Sequence, residues 1–122
     1  MGKFAVKKVN TGIKFDLKAG NGEIIGTSEV YTSEAACMNG IESVKKNALS
    51  KVEDQTIENF EKVTHPKYEV YNDKAGEFRF RLMARNGENI LASEGYTTKQ
   101  SCLNGIESVK KNAPEANIDK AD

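Results

Sequence analysis

The sequence predicts an α+β domain built from two tandem copies of a β-β-β-α-β unit that share one core. Three observations lead there. The segment from Cys37 to Ala48 returns from Cys102 to Ala113 with a single change, Met38 to Leu103, and the match runs upstream at the same spacing. Asn21-Gly22-Glu23 reappears as Asn86-Gly87-Glu88, Ser28-Glu29 as Ser93-Glu94, and Tyr31-Thr32 as Tyr96-Thr97. A fixed period of this length marks one supersecondary unit used twice. Each unit also holds a clean period-two alternation, the signature of a strand with one buried and one wetter face. Finally, one repeat of roughly 60 residues would bury only about 60% of the surface its unfolded chain exposes, so two copies sharing a core are favoured over two independent beads. Repeat one is placed at about 1–56, a connector at about 57–66 and repeat two at about 67–120, within a single domain spanning 1–122.

The first strand of the unit is read at Lys3 to Val9, where Phe4 and Val6 alternate with Lys3, Ala5 and Lys7, and again at Lys67 to Tyr71, with Tyr68 and Val70 on the apolar side. Asn10-Thr11-Gly12 and Asn72-Asp73-Lys74-Ala75-Gly76 supply residues that tolerate a turn. The second strand is the clearest. Ile13, Phe15 and Leu17 alternate with Lys14, Asp16 and Lys18, and Phe78, Phe80 and Leu82 alternate with Arg79, Arg81 and Met83.

Asn21-Gly22 and Asn86-Gly87 mark tight hairpins into third strands at about Glu23 to Tyr31 and Glu88 to Tyr96. Two registers compete there. A two-residue turn pairs Leu17 with Gly26 and turns Ile25 outward. A three-residue turn with a glycine bulge pairs Leu17 with Ile25 and puts both on the core face. The retention of an isoleucine at 25 and 90 favours the bulge, because a one-residue slip exchanges every side chain between faces.

Helices follow from about Thr32-Ser33 and Thr97-Thr98. Thr97 and Gln100 have capping-box spacing, whereas the first copy keeps only the hydroxyl. Cys37, Ile41, Val44 and Ala48 form one apolar stripe. Glu42 with Lys46 and Glu107 with Lys111 are i,i+4 pairs worth a few tenths of a kcal/mol. Lys45-Lys46 and Lys110-Lys111 suit the negative end of the helix dipole, and Pro114 stops the second helix. Gly40 and Gly105 cost about 1 kcal/mol each against alanine in a helix interior, which points to close approach by another element. After each helix a short strand is read, at Val52 to Thr56 and at Asn117 to Lys120.

Composition narrows the function classes. Lys and Arg number 18 and Asp and Glu 18, so the formal net charge is zero, unlike the basic excess of a dedicated nucleic-acid protein. The N-terminus lacks the apolar core of a signal peptide, and no run approaches the roughly 18 apolar residues of a membrane span. Val6 stands where a myristoylation signal has Ser or Thr. A cytoplasmic protein without membrane contact is expected. Cys37 and Cys102 occupy equivalent helix positions and read as buried reduced thiols; no CxxC is present, and the single histidine, His65, lies in the connector.

The doubled Asn-Gly-Ile-Glu-Ser-Val-Lys-Lys-Asn-Ala segment, preceded by Asn-Gly-Glu, Ser-Glu-x-Tyr-Thr and Phe-x-Phe-x-Leu, resembles the YegP-like family of small bacterial proteins, across nearly the whole chain. The resemblance implies two β-β-β-α-β units that build one antiparallel sheet and exchange their last strands, here the 52–56 and 117–120 regions. It implies no catalytic residue and no assigned biochemical role. The two repeats diverge at Lys18 and Met83, Gly20 and Arg85, and Gly26 and Leu91.

For function, no nucleophile, base or metal cluster emerges that the fold could assemble into an active site. The duplicated acids Glu29/Glu94 and Glu42/Glu107 are explained by ion pairing. No cofactor or metal is expected. The leading reading is a non-enzymatic structural or protein-interaction module acting as a monomer. The alternative is weak nucleic-acid or anion binding through an open sheet face. That face would carry Lys3, Lys7, Lys14, Lys18, Tyr71, Arg79, Arg81 and Arg85, where basic side chains and an aromatic could hold phosphates or stack bases.

Overall fold

The computed structural model describes residues 2–120; the outermost residues of the expected domain, 1, 121 and 122, lie outside the described part. Repeat one contributes β1 (Lys3–Val9), β2 (Gly12–Lys18), β3 (Ile24–Thr27), α1 (Glu34–Asn47) and β4 (Val52–Asp54). Repeat two contributes β5 (Lys67–Asn72), β6 (Phe78–Met83), β7 (Asn89–Ala92), α2 (Lys99–Asn112) and β8 (Asn117–Lys120). All strands join one eight-stranded sheet in the order β4-β5-β6-β7-β3-β2-β1-β8. The two repeats meet at its centre, where Thr27 of β3 opposes Ala92 of β7.

The last strands are exchanged. β4 leaves repeat one and pairs with β5, while β8 leaves repeat two and pairs with β1. Both pairings are parallel, so six inner antiparallel strands are flanked by one parallel strand at each edge. β4 runs opposite to β1 and β3 of its own repeat and in the same sense as β5, the first strand of the other repeat. β4 is shorter than the sequence indicates, ending at Asp54. The third strands are shorter too, and Tyr31 and Tyr96 rejoin the sheet only as isolated bridges to Ile13 and Phe78.

The hairpin register combines features of both sequence alternatives. Leu17 pairs with Gly26, as in the two-residue turn, and the pairing then skips Ile25, so Lys18 opposes Ile24. Ile25 is the extra residue of a bulge. It is therefore buried together with Leu17, although the two are not partners. The expectation that Leu17 pairs with Ile25 is thus corrected, while the burial of both holds. Repeat two does the same at Leu82, Leu91 and Ile90.

One core lies between the sheet and both helices. Phe4, Phe15, Leu17, Tyr68, Phe80 and Leu82 are fully buried from the sheet side, and Cys37, Ile41, Val44, Cys102 and Val109 from the helices. Phe4 meets Phe15 edge to face at 5.5 Å, and Tyr68 meets Phe80 in the same way at 6.0 Å, a geometry that adds about 0.5–1.5 kcal/mol beyond area burial. The Tyr68 hydroxyl donates to the Ala48 carbonyl at 2.7 Å, tying the second repeat's first strand to the first repeat's helix end. α1 packs on β2 and also on β7, and α2 on β6 and also on β3, so each helix crosses the seam.

Each helix starts one residue later than the capping-box spacing suggests. Ser33 and Thr98 are the N-caps, accepting from the amides of Ala36 and Ser101. The Gln100 amide therefore donates to Asn104 rather than closing a box with Thr97. Gly40 and Gly105 admit the tyrosines of the bridges. A Cβ on Gly40 would collide with the Tyr31 hydroxyl and stand 3.2 Å from the Phe15 ring; on Gly105 it would stand 2.6 Å from the Tyr96 hydroxyl. Among the described residues, no helix is long and apolar enough to cross a membrane.

Candidate functional site

The sheet face away from the helices carries most of the cations singled out from sequence, and four of them, Lys7, Lys14, Arg79 and Arg81, are ion-paired there. Asp16, 4% exposed, accepts a hydrogen bond from the Thr27 hydroxyl at 2.7 Å and sits 3.2 Å from Lys7 and 3.4 Å from Lys14. Burial alone would raise its carboxyl, but these partners hold it below its ordinary value. Arg79 donates through Nε to Asp73 at 2.7 Å. Arg81 pairs with Glu69, directly opposite across β5–β6, at 2.6 Å, and its guanidinium lies 4.2 Å from the centre of the Tyr71 ring. A base could stack on that face of Tyr71 only by displacing the guanidinium.

Beside this pair lies the most deeply buried ionic cluster. Lys67 Nζ bridges Glu53 at 2.8 Å and Glu69 at 3.2 Å. Glu53, 2% exposed, also accepts from the Gln55 side chain at 2.7 Å and from the Val63 amide at 2.8 Å. Desolvation would push the Glu53 carboxyl up; the hydrogen bonds from Lys67, Gln55 and Val63 outweigh it and hold the group at about 2. The connector placed at about 57–66 thus supplies a backbone donor to a buried acid.

Sequence reading placed Lys14, Lys18, Tyr71, Arg79, Arg81 and Arg85 on one face. The structure keeps the first five there and removes Arg85. β6 ends at Met83, and the Ala84–Asn86 turn carries Arg85 over to the helix side. Sequence reading also passed over the acids that neutralise the face. Asp16 is in phase with Lys14 and Lys18, and Glu69 is in phase with Tyr71, so strand parity alone could have found both. Glu53 could not be found that way, because it reaches the face only through the exchanged β4.

On the helix side, a groove runs along α1. Its wall is the hairpin turn of the other repeat. Over the helix's C-terminal half it forms a cleft of about 970 Å³ lined by Glu42, Lys45, Lys46, Arg85 and Pro114. Over the N-terminal half it continues as about 520 Å³ lined by Glu29, Thr32 and Glu88. Asn39, Ser43, Ala84 and Asn86 line both halves. A smaller cleft of about 220 Å³ on α2 is the counterpart, with Asn104, Ser108, Asn21, Glu23 and Glu94 in equivalent positions.

The two clefts hold what the repeats share. On the open sheet face Lys3 and Lys67 are alike, whereas the equivalent positions Lys7 and Tyr71, Lys14 and Arg79, Asp16 and Arg81, Lys18 and Met83, and Thr27 and Ala92 all differ. In the clefts, Asn39/Asn104, Ser43/Ser108, Glu29/Glu94, Asn21/Asn86 and Glu23/Glu88 are identical. Part of that identity is structural: the Asn21 and Asn86 side chains accept from the amides of Glu23 and Glu88 at 3.0 Å, and Asn47 and Asn112 bond back to Ser43 and Ser108. Glu29, Glu94, Glu42 and Lys46 hold no ion pair among the described residues, against the expectation that pairing explains the duplicated acids. The helix pair that does form is Glu107 with Lys110, at 3.7 Å.

Both cysteines are buried free thiols. Burial pushes Cys102 up to about 11 and Cys37 in the same direction. Among the described residues, no three His, Cys, Asp or Glu side chains gather where they could hold a metal.

Comparison with known proteins places this architecture. The chain matches the family described as "Domain of unknown function (DUF1508)" twice, over residues 10–54 and 73–119. A UPF0339 protein of Bordetella pertussis is 44% identical over 115 residues, which span 94% of this chain and 91% of the relative. A UPF0339 protein of Treponema denticola is 58% identical over 52 residues, 43% of this chain but 90% of the relative. The solution structure of YegP from E. coli, described as a protein of unknown function, superposes with a TM-score of 0.79 at 36% identity, covering 98% of this chain and 91% of that one.

Proposed function

This chain belongs to the DUF1508 family, and on that premise we propose that it works as a non-enzymatic protein-interaction module whose contact surface is the helix side rather than the open sheet. One observation carries this reading. Polar groups that neither the core nor a turn requires, Glu29/Glu94 and Asn39/Asn104 foremost, are the same in both repeats and line equivalent clefts, while most of the open sheet face has diverged. Asn39 and Asn104 stand on helices packed against the sheet, a suitable support for such a surface, because groups held on regular elements keep their geometry.

The alternative, anion or nucleic-acid binding by the open face, meets an energetic objection. Phosphates would have to compete with Asp16, Glu69 and Asp73 for Lys14, Arg81 and Arg79, and with Arg81 for Tyr71. A photo-crosslinking residue in place of Asn39, and another in place of Lys18, separates the two readings in native lysate. Adducts from position 39 that resist nuclease and yield to protease are expected. Adducts from position 18 alone, removed by nuclease, would overturn the proposal in favour of the open face.

A further inference from the structure

The groove along α1 is electrically polarised. Around its C-terminal half stand three cations, Lys45, Lys46 and Arg85, against one carboxylate, Glu42. Around its N-terminal half stand two carboxylates, Glu29 and Glu88, and no cation. Between them lie the neutral polar groups Asn39, Ser43 and Asn86. Arg85, Lys46, Glu29 and Glu42 hold no ion pair among the described residues, in contrast with Lys7, Lys14, Arg79 and Arg81 of the open sheet face.

Resting on the interaction-module reading, we propose that this groove is a docking site for an extended peptide segment of mixed charge. Its acidic side chains pass Lys46 and Arg85, and its basic side chains pass Glu29 and Glu88. Charge complementarity fixes the class of occupant. A nucleic-acid strand carries one sign of charge along its whole length and would meet three carboxylates in this groove. A peptide can carry both signs, and its backbone amides find partners in the side-chain amide of Asn39 and the hydroxyl of Ser43. The dimensions agree: the 14 residues of α1 extend about 21 Å, which about six or seven extended residues span.

Arg85 also distinguishes this groove from its twin. Its equivalent beside α2 is Gly20, so the α2 cleft lacks a guanidinium where α1 has one. One peptide per chain follows, with Arg85 as a specificity-determining residue.

The test uses the full chain and three synthetic heptapeptides as probes: two glutamates at one end and two lysines at the other, glutamates at both ends, and lysines at both ends. A single-stranded oligothymidylate is the fourth probe. The mixed peptide is expected to give saturable NMR shifts at the amides of Asn39, Ser43, Arg85 and Asn86, with a dissociation constant of about 1 mM or below, and to bind more tightly than either single-sign peptide. Arg85→Glu and, separately, Lys46→Glu are expected to weaken it about tenfold, each with an unchanged melting midpoint. Absence of saturable groove shifts, equal binding by both variants, or groove shifts from the oligothymidylate alone would overturn the inference. If the mixed peptide fails while nuclease-resistant crosslinks from position 39 persist, the interaction-module reading stands and only the peptide assignment falls.

Discussion

The side chain of Leu91 fills the space above Gly26. A Cβ on Gly26 would stand 2.8 Å from Leu91 Cγ, nearer than real Cβ atoms approach. The two residues occupy equivalent positions of the two repeats and lie on the same face, diagonally across the seam marked by Thr27 and Ala92. The central strands leave room for one large side chain, and the second repeat supplies it. The divergence between Gly26 and Leu91 is thus complementary packing.

Gly26→Ala is accordingly expected to cost about 1–3 kcal/mol by overpacking, and Leu91→Ala about 2–5 kcal/mol by leaving a cavity. The exchanged pair, Gly26→Leu with Leu91→Gly, should cost less than the sum of its parts, because each change makes room for the other. Urea unfolding of the exchanged pair and of its two single changes, Gly26→Leu and Leu91→Gly, measures this. Strict additivity would show that the two positions do not share a space.

Arg81→Glu is expected to destabilise the fold by about 1–3 kcal/mol, since it removes a charge-assisted hydrogen bond and places like charges opposite each other at Glu69. From sequence alone, reversing Arg79 and Arg81 would be expected to leave thermal stability nearly unchanged, as for exposed charges. The half-buried pairing reverses that expectation for Arg81, and a melting curve decides it.

Acid should weaken the protein through Glu53. Its carboxyl is held at about 2 in the fold against 4.5 for an unperturbed glutamate, so the folded state binds fewer protons than the unfolded state between these values. The stabilisation is complete above about pH 4.5 and is lost as pH falls toward 2. Glu53→Gln should flatten this part of the pH profile in denaturant titrations. Lys67→Met, which leaves Glu53 and Glu69 buried without their shared cation, should cost about 3–5 kcal/mol at pH 7.

Cys37 and Cys102 should react with a thiol reagent only slowly until denaturant is added. Both are fully buried, and burial raises both thiols, so little thiolate is present at neutral pH. Rapid labelling in native buffer would contradict the packing of α1 and α2 against the sheet.

A chain cut after Asp54 loses β5, the strand that β4 pairs with, and β8, the strand that β1 pairs with. Two copies can restore both edges by pairing β4 of one with β1 of the other. Such a half-chain is expected to dimerise or unfold, as sedimentation and circular dichroism would show. A stable monomeric half would contradict the dependence of each repeat on the other's last strand. The full chain, with both exchanges made internally, is expected to sediment as a monomer.

Several features were legible in the sequence because they depend on neighbours a few residues apart. The alternation of Phe15 and Leu17, the stripe of Cys37, Ile41, Val44 and Ala48, the Asn-Gly turns and the repeat itself fixed the elements and their buried faces. The two glycines of the helices announced a close approach, though not that Tyr31 and Tyr96 would make it. Tertiary structure decided the rest. Ile25 is buried through a bulge, Arg85 turns away from the face its parity suggested, and Glu53 meets Lys67 only because β4 crosses to the other repeat. The physical reason is the same in each case. Periodicity records which side of its own strand or helix a residue faces, whereas charge pairing, seam packing and the groove along α1 depend on which strand of the opposite repeat lies alongside.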